Sequence, residues 1–207
     1  MHALFYLAAQ PEYIGHLREE VEDVIEREGW TKEALDQMYK VDSFIKESQR
    51  KSQLGNRECR SILCVLYADR NSRHGVSYQE GVHIHGWHQI LKELQPASIL
   101  HKHDHDPETY EHPELFEGFC FAKMWLQQDS KRYDIVATSK FLPFGYGRYV
   151  CAGRYFAACK PKIMVAHTVL NYDMKMENKR MRPSDVWLAS SCIPNPKGKV
   201  MFCKRAT

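Results

Sequence analysis

The residues best suited to chemistry lie in the stretch Phe144-Gly145-Tyr146-Gly147-Arg148-Tyr149-Val150-Cys151-Ala152-Gly153. Its spacing is Phe-x-x-Gly-x-x-x-Cys-x-Gly, and an apolar segment that reads as a helix follows. Each part suits a thiolate held beside a metal. Gly147 and Gly153 let the backbone turn tightly and approach a flat group closely. Backbone N–H groups after Cys151 can point at its sulfur. The positive end of the following helix favours the charged thiolate over the thiol. Phe144 can pack against the loop and screen the sulfur from water. The bland alternative is a buried structural cysteine that opens a helix.

Two further groupings carry chemistry. Glu47-Ser48-Gln49-Arg50 places opposite charges three residues apart, with Phe44 and Ile45 turning part of the same helix toward a core, so Glu47 and Arg50 can form a buried pair. Glu177-Asn178-Lys179-Arg180 has the same spacing and reads as a surface pair. His83, His85, His88, His101, His103 and His105 are candidate transition-metal ligands or, more blandly, parts of solvated loops. No Ser/His/Asp arrangement and no phosphate-cradling glycine loop is evident.

The elements that must position these groups are mainly helical. Ile14, Leu17, Val21 and Val24 recur at helical spacing after Pro11, and Gly29 ends that helix. Thr31 caps a short helix through Met38. Asp42 or Ser43 caps another, running to about Arg50. Residues 51–105 are irregular, with Ile62 to Tyr67 and the segment ending at Ile84 as candidate strands. Phe116 to Gly147 reads as aromatic-rich loop. Residues 153–170 read as a buried helix flawed by Pro161, and 186–204 as short strands around a turn at Pro194 to Gly198.

Composition bounds the function. Of 207 residues, 43% are hydrophobic, enough for a packed core. The net charge of +3, from 29 basic and 26 acidic side chains, excludes a strongly basic nucleic-acid binder. The seven cysteines are odd in number and form no Cys-x-x-Cys pair, which argues against a disulfide framework or a zinc site built on such pairs. The longest apolar run, Ile62 to Ala68, is far short of the roughly 18 residues a spanning helix needs. Met1 to Ala9 has no basic start and meets Pro11 at once, so it does not read as a signal peptide, and Met1 to Phe5 reads as the tail of a helix whose beginning is absent.

The cysteine loop resembles the haem-binding signature of cytochrome P450 enzymes, most closely the fungal, membrane-anchored type. Glu47-Ser48-Gln49-Arg50 resembles that family's Glu-x-x-Arg helix. Asp106-Pro107-Glu108 … Pro113-Glu114-Leu115-Phe116-Glu117-Gly118-Phe119-Cys120-Phe121 resembles its Asp-Pro … Phe-Arg-Phe stretch. The resemblance implies a fold that is mainly α with small β-sheets, the haem-proximal C-terminal part of the P450 fold. Residues 1–207 would form one partial domain: helices over 1–50, irregular loops over 51–143, and the cysteine loop, helix and terminal strands over 144–207.

By the same resemblance Cys151 is the axial ligand of haem iron. Phe144, Gly147 and Gly153 would shape the cofactor loop, Arg148, adjacent to Tyr149, would reach a haem propionate in its place, and Glu47 and Arg50 would brace the core beneath it. The implied activity is monooxygenation of a small organic molecule, in secondary metabolism, with a flavoprotein reductase as electron donor. Arg148, Arg154, Lys160 and Lys162 would form the basic face that docks it. Residues 54–66 and the turn at Ala189 to Ile193 would line the substrate pocket. The distal oxygen-activating helix is expected outside this chain, which therefore holds no catalytic acid or alcohol. The family is anchored in the endoplasmic reticulum, whereas this chain as it stands would be cytoplasmic. Three positions depart from the family: Cys120 replaces the arginine of Phe-Arg-Phe, Tyr149 replaces a propionate-binding Arg or His, and Pro161 interrupts the helix behind the haem. The alternatives are a truncated, inactive relative and a His-rich metal-binding protein.

Overall fold

The computed structural model describes residues 1–52, 107, 110, 112–127, 143–144, 151–178, 181–188 and 191–205. The candidate strands after residue 52 and the six histidines at 83–105 lie outside them. Four helices open the chain: α1 (His2–Ala9), α2 (Glu12–Glu28), α3 (Lys32–Gln37) and α4 (Tyr39–Lys51). The apolar stripe of α2 is buried as its spacing predicts, with Leu17 and Val21 fully covered. Gly29 closes the helix at φ 65°, a left-handed conformation that favours glycine, and its N–H bonds to Ile25 O at 2.9 Å. Thr31 caps α3 by accepting from the Ala34 amide at 3.1 Å.

Helix α4 begins at Tyr39, earlier than the expected cap at Asp42 or Ser43. The cap comes from another helix. Glu20 of α2 accepts from the Lys40 and Val41 amides at 2.8 and 3.0 Å, satisfying two donors that the first turn leaves open. Asp42 and Ser43 are thereby freed for tertiary bonds.

Phe116 to Gly147 is not all loop. Cys120–Gln127 forms a helix, here α5, lying against α4. Phe121 packs edge-on against Tyr110, and Trp125 stacks on Tyr39 at 4.5 Å. Before it, Gly118 allows a close approach: a Cβ there would stand 2.7 Å from Phe44 and 2.9 Å from Tyr13.

Helix α6 (Arg154–Asn171) continues past Pro161, which does not interrupt it as expected. Nor is it buried all round. Ala158, Lys162, Val165, Ala166 and Val169 form its inner stripe, while Tyr155, Phe156, Ile163 and Met164 face outward. It packs on α2, α3 and α4 and leads directly into β1 (Tyr172–Met176), an element not foreseen. β1 pairs antiparallel with β4 (Val200–Lys204), Met174 opposite Phe202. β2 (Val186–Leu188) pairs with β3 (Ser191–Ile193). The core joins α1, α2, α4 and α6 to Met174 and Met176 of β1.

Candidate functional site

Cys151 stands just ahead of α6, whose N-cap is Gly153. It is exposed and forms no disulfide. Its amide donates to Phe144 O at 2.8 Å, closing the loop between the two residues. Its carbonyl accepts from the Arg154 amide at 3.3 Å and from Arg154 Nη1 at 3.2 Å. Phe144 is half-buried and packs against the main core, so it ties the loop to the body of the molecule. Gly153 has φ −86°, which any residue adopts, and a Cβ there would meet no described atom within 4 Å. Gly147, Arg148 and Tyr149 lie outside the described residues.

The expected pair forms. Glu47 and Arg50 are buried and joined by two bonds, Arg50 Nε to Oε2 and Nη2 to Oε1, each 2.7 Å. Fork-to-fork geometry of this kind is the strongest arrangement for a carboxylate and a guanidinium. Burial opposes the charge on Arg50, but the bonds and charge of Glu47 outweigh it and hold its pKa above the ordinary value. Arg50 also donates to the carbonyls of Pro113 at 2.9 Å and Leu115 at 3.1 Å, and its guanidinium lies 4.7 Å from the Tyr110 ring. Glu47 accepts from the Glu117 amide at 3.0 Å and from the Cys120 thiol at 3.3 Å. One buried pair thus clasps α4 to the 113–117 segment and to α5.

The four-residue basic face is corrected by the structure. Lys162 points inward, buried, and pairs with Asp42 at 2.7 Å while donating to Leu35 O at 3.2 Å. Among the described residues only Arg154 and Lys160 remain of that face, their cations over Tyr155 at 4.6 Å and Phe156 at 5.6 Å. Sequence reasoning counted Lys162 by charge alone. The missed signal was its register, since Ala158, Lys162, Val165, Ala166 and Val169 share one helical face.

A second missed cluster joins α1 to β3. His2, Asp185 and Cys192 bring ligand-type atoms within 4.8 Å of one another. Its cationic centre is already Arg182, whose Nη2 lies 2.7 and 2.6 Å from the two Asp185 oxygens and 2.8 Å from Ser52 Oγ. Burial, then the Asp185 charge, pushes the Cys192 thiol up to about 11, so it stays protonated near neutrality. The cluster is therefore an ion-pair network.

Against this geometry stand the comparisons with known proteins. The family model for cytochrome P450 matches residues 1–202. The chain belongs to the cytochrome P450 family. It is 40% identical over 208 residues to cytochrome P450 monooxygenase 151 of Postia placenta, covering all of this chain and 39% of that protein. It is 37% identical over 205 residues to cytochrome P450 monooxygenase 71 of the same fungus, covering 99% of this chain and 38% of the relative. An ent-kaurene oxidase of Gibberella intermedia is 31% identical over 209 residues, 99% of this chain and 37% of that enzyme. The chain thus spans about two-fifths of the length of these P450 relatives.

Cytochrome P450 proteins form a haem-binding family, and the described residues of this one fit that group. A ligand sulfur must be open and unshared, as that of Cys151 is. A planar ring must approach the backbone closely. At Gly153 a Cβ would meet no described atom within 4 Å, so the described residues leave space beside the loop. No helix among the described residues is long and apolar enough to cross a membrane.

Proposed function

We propose that this chain is the haem-proximal part of a haem-thiolate monooxygenase that inserts one oxygen atom from O2 into a small organic molecule. The observation that carries the proposal is the exposed Cys151 thiol, held just ahead of helix α6 by the hydrogen bond that the Cys151 amide donates to Phe144 O. A haem bound there supplies reductive oxygen activation, which a thiolate ligand promotes by donating electron density to iron. The chain's own residues hold that ligand. Phe144 anchors the loop against the core, and Gly153 leaves room for the ring. Arg148 is proposed to reach a haem propionate and Gly147 to turn the loop. Glu47 and Arg50 keep α4 and the 113–117 segment in register beneath the site.

Electrons are proposed to come from a flavoprotein reductase, with Arg154 and Lys160 in its docking face. Residues 54–66 and 189–193 are proposed to line the substrate pocket. One relative is named for oxidising ent-kaurene, which supports an organic substrate of secondary metabolism. The test is the reduced carbon-monoxide spectrum of the chain reconstituted with haem. The red-shifted band of thiolate ligation should appear and be lost in Cys151→Ser. A wild-type chain that retains no haem overturns the reading.

A further inference from the structure

The ion pair between Lys162 and Asp42 is buried on both sides, its side chains 4% and 7% exposed. Such a pair is an expensive way to fill a core, because well-packed apolar side chains of similar volume serve stability as well or better. In some proteins a buried pair serves register instead, because two charges that must meet in a dry interior favour one rotation and one depth of the helices that carry them. Here the helices are α4, which bears Glu47 and Arg50, and α6, which follows Cys151. Lys162 also donates to Leu35 O, so it ties α6 to α3 by the same ammonium.

Cys151 lies between two anchors. On one side Phe144, packed in the core, accepts from the Cys151 amide. On the other, α6 is continuous from the Arg154 and Ala157 amides, bonded to Cys151 O and Gly153 O, down to Lys162 in its third turn. A slide or rotation of α6 over α4 would pull Cys151 away from Phe144 O. We infer that Lys162 and Asp42 are positioning residues for the Cys151 loop, setting the place of the sulfur through the register of α6 on α4. This rests on the haem-thiolate reading above for its use, while the register itself is measurable without haem.

The test makes the pair neutral on both sides, Lys162→Met with Asp42→Asn, in the whole 207-residue chain. Hydrogen exchange is followed amide by amide without haem, and haem affinity is then titrated. The expected result is that interior amides of α4 and α6 stay protected while the Cys151 amide exchanges at least about ten-fold faster, and that haem binds about ten-fold more weakly. A Cys151 amide that exchanges as in wild type overturns the inference, whether or not haem binds. Should the neutral pair prevent folding, Asp42→Glu keeps both charges and lengthens one arm by a methylene. Faster exchange at Cys151 with both helices protected supports the inference there, and an unchanged rate overturns it. Failure of wild type to bind haem, with the exchange result as expected, removes the haem reading and leaves the register role standing.

Discussion

The Cys120 thiol donates to Oε2 of Glu47 at 3.3 Å, the same oxygen that receives Arg50 Nε. In the family pattern an arginine stands at position 120 and adds a second cation to the pair. Here the Glu47 carboxylate meets the Arg50 guanidinium, and the Cys120 thiol donates to the same carboxylate. Burial and then the Glu47 charge push the Cys120 pKa well up, which keeps it a donor at any working pH. Cys120→Ser retains an O–H donor and should stay within about 1 kcal/mol of wild type, whereas Cys120→Ala should lose about 1–3 kcal/mol. Urea unfolding of the two variants checks this, and equal losses would sink it.

The Glu47–Arg50 clasp should be costly to open from one side. Arg50→Met leaves the Glu47 carboxylate buried without its counter-charge and is expected to cost about 3–5 kcal/mol. Glu47→Leu combined with Arg50→Met should cost clearly less than the sum of the single losses, because the stranded charge is gone. A double-mutant cycle from denaturation midpoints measures the coupling; strict additivity contradicts the prediction.

Helix α4 should depend on a cap from α2. Glu20→Ala removes the acceptor from the Lys40 and Val41 amides and is expected to cost about 1–2 kcal/mol. Exchange of those two amides should rise more than that of the α4 interior. Glu20→Gln, which keeps an acceptor oxygen, should lose less than Glu20→Ala.

Gly118→Ala should destabilise through crowding. Its Cβ would fall 2.7 Å from Phe44, which is fully buried, and 2.9 Å from Tyr13. Overpacking of this kind costs about 1–3 kcal/mol. Thermal melting checks it, and a neutral Gly118→Ala would show that Phe44 and Tyr13 both yield at little cost.

Acid should loosen the cluster that joins α1 to β2 and β3. Burial, aided by Arg182, lowers the pKa of His2 below its ordinary 6.5, against the opposing charge of Asp185. The unfolded chain therefore takes up a proton that the folded chain resists, and stability falls as pH drops below 6.5. Asp185, although burial opposes its charge, is held below its ordinary 3.8 by the bonds and charge of Arg182, so a further loss follows below 3.8. Both contributions are complete at about pH 7 and above. His2→Gln should flatten the loss between about pH 7 and 5; parallel pH profiles for variant and wild type would refute this.

The residue types and spacings around Cys151, and the Glu47–Arg50 pair, were legible from sequence because each is local: a loop of ten residues and one helical turn. So were α2, with its stripe and Gly29 stop, and the Thr31 cap. These depend on contacts within a few residues of chain. The β1–β4 pairing was not legible, because its partners are about thirty residues apart and only packing decides the register. The start of α4 was misplaced because its cap is Glu20, far back in the chain. Asp42 read as a cap and Lys162 as surface charge because both residue types usually are. Only the packing of α6 on α4 turned them toward each other, in an interior where neither charge is stable without the other. The sequence alone determined the spacing of the loop that carries Cys151, and the tertiary structure decided what holds that loop in place.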